Sequence, residues 1–133
     1  MAKAIDDASY LQLIDWGLGH CGAGRHREAL AYFRVALGAR AEDPLAQKLA
    51  AACYQRLGRK RQAAALYRRV LGLRPDDTDV LTNLGEILIA QMRYQEALAL
   101  LEKALRLDPK YENPHSQRAR ALIMQVVDNL GTR

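Results

Sequence analysis

Cysteine is scarce in this chain: two in 133 residues, Cys21 and Cys53, in neither a Cys-x-x-Cys pair nor a disulfide framework. That usage reads as two free thiols of a reducing cytoplasm. Long apolar runs are missing, and no stretch approaches the ~18 residues that span a bilayer. Residues Met1 to Asp7 hold no hydrophobic segment of a secretory signal. Strand signals are absent: nothing alternates with period two over a strand length, and no Asn-Gly or Asp-Gly pair marks a hairpin. Aromatics are few, and they sit mostly at packing positions instead of interleaving with arginine as a base-stacking platform would. The three histidines, His20, His26 and His115, are isolated, none at metal-ligand spacing from a cysteine or carboxylate on one helix face. No nucleophile elbow, Walker loop or Gly-x-Gly-x-x-Gly turn occurs. Gly17, Gly19, Gly22 and Gly24 cluster, but no strand precedes them. The expectation is a non-catalytic protein with no metal site and no cofactor.

What is present is repetition. The run Leu66-Tyr67-Arg68-Arg69-Val70-Leu71-Gly72-Leu73-Arg74-Pro75 returns as Leu100-Leu101-Glu102-Lys103-Ala104-Leu105-Arg106-Leu107-Asp108-Pro109, a period of 34 residues. Ala29, Ala63 and Ala97 keep that period, as do Phe33, Tyr67 and Leu101. A fixed period of this length belongs to a solenoid of one repeated supersecondary unit. The length bounds the chain at a single domain over 1–133, and a hydrophobic share of 50% is enough for a packed core. The formal charge of +5 is a mild excess that bears on solubility more than on fold.

Apolar spacing is helical throughout, and punctuation cuts the chain into seven helices. The first pair covers about 9–22 and 25–38. The second begins at Asp43-Pro44, a cap with proline in the first turn, breaks at Gly58 and ends near Pro75. The third begins after Asp77-Thr78, breaks around Gln91-Met92 and stops before Asp108-Pro109. The seventh starts at Asn113-Pro114 and runs to Leu130, with Gly131 available as its C-cap. Small residues fall where paired helices must approach: Ala51 and Gly85 in first helices, and Ala29, Ala63 and Ala97 in second ones. The glycines of the first helix each cost ~1 kcal/mol against alanine, so that helix is expected to be the loosest. Cys53 falls on a core position, and His20 on a core or boundary one.

These positions resemble a tetratricopeptide repeat. The third copy, 78–111, carries Leu81, Leu84-Gly85, Leu88, Tyr94, Ala97, Leu101, Ala104 and Pro109. The second, 44–77, keeps Ala51, Tyr54, Gly58, Ala63, Tyr67, Val70 and Pro75. The first, 10–43, keeps Leu13, Trp16-Gly17, Gly24, Ala29, Phe33 and Ala36, with Ala41 where the proline would stand. The helix from Pro114 is similar to the one that closes such arrays, its buried stripe being Ala119, Leu122, Ile123, Val126, Val127 and Leu130.

The resemblance implies an all-α, right-handed solenoid of helical hairpins whose first helices line a groove for a peptide or helical segment of a partner. Carried onto this chain, the groove residues are Leu11, Ile14 and Leu18 with Asp15 and Cys21; Lys48 and Arg56 with Leu45, Leu49 and Ala52; Asn83 and Glu86 with Asp79, Thr82 and Ile89; and Arg120 with Ser116 and Gln117. The family's carboxylate clamp uses Lys and Asn in the first repeat, where this chain has Ile14 and Leu18, so a C-terminal acid is disfavoured as ligand. An amphipathic segment with apolar anchors suits the surface better. The alternative is that Leu11, Ile14 and Leu18 pack against Ile5 and Tyr10.

Turns inside the pairs carry Arg25, Arg27, Arg59, Lys60, Arg61 and Arg93, a basic edge. Turns between pairs carry Glu42, Asp43, Asp76, Asp77, Asp79, Asp108 and Glu112, an acidic one offset by Arg74 and Lys110. Helix capping accounts for the acids but not for the bases. The leading expectation is a cytoplasmic adaptor or small chaperone for a protein partner. In size, and in having three repeats plus a closing helix, the chain also resembles chaperones of bacterial type III secretion translocators. A third expectation is a homo-oligomeric scaffold joined through its charged edges. Nucleic acid is not expected as a partner, and Met1 with the capped end is read as a complete unit.

Overall fold

A computed structural model describes residues 4–131. Among them are seven helices and no strand: α1 (Asp7–Gly22), α2 (His26–Ala39), α3 (Pro44–Arg56), α4 (Lys60–Leu73), α5 (Thr78–Ala90), α6 (Tyr94–Leu107) and α7 (Pro114–Gly131). Their ends fall within two residues of the predicted ones. The helix α1 starts earlier than predicted because Asp6 caps it, its carboxylate accepting from the Ser9 amide at 2.6 Å.

The 34-residue period is written into the backbone as well as the core. Asp43 and Asp77 cap α3 and α5 through the amides of Leu45 and Val80. At the other end of the first helices the same C-terminal motif occurs three times. The amides of Arg25, Arg59 and Arg93 donate to the carbonyls of His20, Tyr54 and Leu88 at 2.8–2.9 Å. The residue before each arginine takes a left-handed conformation: Gly24 and Gly58 at φ 76°, and Met92 at φ 61°. This is the Schellman arrangement, which satisfies the helix's last carbonyls and reverses the chain into the second helix.

The chain divides into two compact units, one ending at Leu73 and the other beginning at Arg74. In the first, α1 pairs with α2, α2 packs on α3, and α3 pairs with α4. Close approach is literal here: a Cβ added to Gly17 would stand 2.3 Å from the ring of Phe33, itself fully buried. Arg40, following α2, binds Asp7 at 2.5 Å and lays its guanidinium 4.3 Å over the buried Tyr10 ring.

In the second unit α5 pairs with α6, and α7 packs on both. Gly85 repeats the role of Gly17, with Leu101 2.6 Å from where its Cβ would be. The α7 stripe is shorter than predicted. Ala119 and Val126 are buried and Leu122 and Ile123 half-buried, but Val127 and Leu130 are exposed. At 18 residues α7 is longer than its 13- and 14-residue partners, and beyond the buried Val126 its described residues are exposed. No helix among the described residues is long and apolar enough to cross a membrane.

Candidate interaction surface

In the first unit, α1 sorts its side chains by helical angle. Tyr10, Ile14 and Gly17 turn inward. Leu11 and Leu18, one heptad apart, stay 59% and 45% exposed. Together with Ala8, Gln12, Ile14 and Asp15 they line a shallow depression of about 380 Å³. Of the three apolar groove candidates, Leu11 and Leu18 therefore present surface. Ile14, 5% exposed, contributes mainly to the core. On α3, Lys48 is half-buried and Arg56 exposed, and Leu45 adds an exposed apolar side chain.

A second depression of about 350 Å³ lies on the same helix pair, lined by Asp15, Trp16, Gly19, His20, Arg25 and Tyr32. Trp16, which falls on the repeat pattern, is 52% exposed. His20 stacks on Tyr32 with centroids 5.3 Å apart, and Arg25 donates to His20 Nδ1 at 2.9 Å. His20, expected at a core or boundary position, is half-buried on this rim.

In the second unit the candidates Asn83 and Glu86 are both engaged by α7. Arg118 donates to Glu86 through Nη1 and to Asn83 through Nη2, and Asn83 donates to Asp79 at 3.0 Å. His115 Nδ1 stands 3.3 Å from Asp79. A polar ladder thus joins one face of α5 to α7. Thr82 and Ser116, expected to line the groove, are fully buried. Thr82 donates to the carbonyls of Thr78 and His115. Ser116 donates to Asp108, and this bond with the Asn113 amide holds the Asp108 carboxyl below its ordinary range. Arg120 is exposed, its guanidinium 5.4 Å from the Tyr111 ring.

The basic turn residues are exposed as expected: Arg25, Arg27, Arg59, Lys60 and Arg61 in the first unit and Arg93 in the second. Arg93 is held by Glu96 at 2.6 Å. Several acids are occupied internally. Asp43 and Asp77 cap helices, Glu42 meets Arg69 at 3.5 Å, and Asp76 meets Lys103 at 3.5 Å.

One grouping had no signal in the sequence. Cys21, His26 and Cys53 come from three different helices, yet their ligand atoms all lie within 4.8 Å of one another. The search for ligands along one helix face could not see them, because the convergence is between helices.

The fold is that of a helix-hairpin repeat protein, and comparison with known proteins sharpens this. Residues 54–112 match the family model described as tetratricopeptide repeat. No curated protein matches the chain. Among solved structures, the first TPR of Spaghetti (RPAP3), bound to the HSP90 peptide SRMEEVD, superposes with a TM-score of 0.84 at 20% identity, covering 96% of this chain and 97% of that one. The Sgt2 TPR domain from Aspergillus fumigatus gives 0.83 at 16% identity over 98% and 85%. The Yersinia enterocolitica type III secretion chaperone SycD, in complex with a peptide of the translocator YopD, gives 0.84 at 18% identity over 98% and 100%. Residues 54–112 thus match the tetratricopeptide repeat, and the whole chain, with its repeated helix pairs and 34-residue period, is similar in fold to structures built from that repeat.

Proposed function

We propose that the chain is a non-catalytic interaction module that holds a peptide or helical segment of a protein partner, its three repeats and closing helix acting as one domain. The observation that carries this reading is the pair of exposed leucines on α1, Leu11 and Leu18, beside the polar Gln12 and Asp15. Apolar side chains at heptad spacing with polar neighbours suit an amphipathic helix or an extended segment with two apolar anchors. The α1 face carries Asp15 and no cation, which disfavours an acidic C-terminal peptide there. Two of the similar structures are complexes with peptides, and this supports the class of ligand without naming it.

A second reading lies within the same class: a chaperone like those of type III secretion. Its support is the end-to-end agreement with SycD, over 98% of this chain and 100% of that one.

Affinity capture with the wild type and a Leu11→Glu, Leu18→Glu variant tests the proposal. Both positions are exposed, so helix content by circular dichroism stays unchanged. A ligand held by α1 is lost from the variant, and its minimal segment binds purified wild type at least about tenfold more tightly. Equal capture by both proteins overturns the α1 assignment. Recovery only of further copies of the chain favours the self-assembling scaffold.

A further inference from the structure

We propose that Cys21, His26 and Cys53 form a binding site for a thiophilic divalent cation, Zn²⁺, in the first unit. Cys21 lies in the last turn of α1, His26 opens α2, and Cys53 lies on α3. One ligand atom from each falls inside a common 4.8 Å limit. The two sulfurs are 3.8 Å apart. Thiolates bound to a tetrahedral zinc at about 2.3 Å stand about 3.8 Å from each other. The sulfurs therefore already span one edge of the coordination tetrahedron, with the imidazole in reach of a third corner. A disulfide would instead need them to close to about 2.05 Å.

The donor set selects the ion. Two thiolates and an imidazole are soft to borderline ligands, which suit zinc and not calcium or magnesium. Three protein ligands leave the fourth corner to water. Cys21 and His26 flank the α1–α2 turn, Ala23-Gly24-Arg25, and are half-buried, whereas Cys53 is buried.

Binding is a proton exchange with no redox step. Zinc forms two Zn–S bonds and one Zn–N bond, each thiol releases one proton to solvent, and His26 binds through a neutral nitrogen. Two thiolates cancel the dication's charge. Burial, and then the neighbouring Cys21, push the Cys53 thiol up to about 12 in the metal-free protein, and the cation offsets the cost of ionising it. The bound ion would tie α1 and α2 to α3.

The test uses the untagged full chain, kept reduced with a non-chelating phosphine and titrated with Co²⁺ and then Zn²⁺. The expected result is a thiolate-to-cobalt charge-transfer band with tetrahedral d–d absorption, abolished by one equivalent of Zn²⁺, and one zinc per chain in native mass spectrometry. Cys21→Ser and His26→Ala, both at half-buried positions, should weaken Zn²⁺ binding by about tenfold or more with helix content unchanged. His20→Ala should not. Absence of the charge-transfer band in the reduced wild type overturns the site. So does wild-type affinity in His26→Ala.

Discussion

At the scale of single residues, glycine does two opposite things in α1. Gly17 is required, because any Cβ would meet the Phe33 ring at 2.3 Å and that ring is fully buried with nowhere to move. Gly19, two positions on, faces open space and only weakens the helix. Gly17→Ala is expected to destabilise the fold by about 1–3 kcal/mol through overpacking. Gly19→Ala is expected to stabilise it by about 1 kcal/mol through helix propensity. Urea denaturation midpoints of the two variants should move in opposite directions. Gly17 and Phe33 both fall on the repeat pattern, but their contact was not legible there, and the sequence counted Gly17 only as a weakness of the helix. The exposure of Trp16 was not legible either, because a pattern of residue types leaves open how far a helix is rotated about its axis.

At the scale of elements, each first helix ends in the same Schellman turn, and the third copy departs from the other two. Gly24 and Gly58 supply the left-handed residue, whereas Met92 occupies it at φ 61° and is 74% exposed. A side chain in that conformation costs roughly 1–2 kcal/mol, and the exposed methionine recovers little of it by packing. Met92→Gly is therefore expected to raise stability by roughly 1 kcal/mol, read as a higher thermal midpoint. An unchanged or lower midpoint would mean that the methionine side chain makes up the cost. The break near Gln91-Met92 was visible in the sequence. Its left-handed backbone was not, since no glycine marks it.

At the scale of the whole molecule, stability should be uneven. Three residues of α1 are buried, against seven of α5, and α1 carries three of the chain's nine glycines. Amides over 10–23 are therefore expected to exchange faster than those over 80–105, and equal protection by hydrogen exchange would refute this. Zinc at Cys21, His26 and Cys53 should slow exchange in the first of these segments, since the ion binds the folded state. The sequence by itself determined the number of helices, their bounds to within two residues, the Asp43 cap before Pro44, and small residues such as Gly85 at helix crossings. Each of these is local or recurs with the period, so it can be read along one dimension. Only the tertiary structure decided that Arg118 takes up Asn83 and Glu86, that Ile14 turns inward while Leu11 and Leu18 stay out, and that two cysteines and a histidine converge. Those outcomes depend on how each helix is rotated against its neighbours, and that rotation is set by packing between segments far apart in the chain.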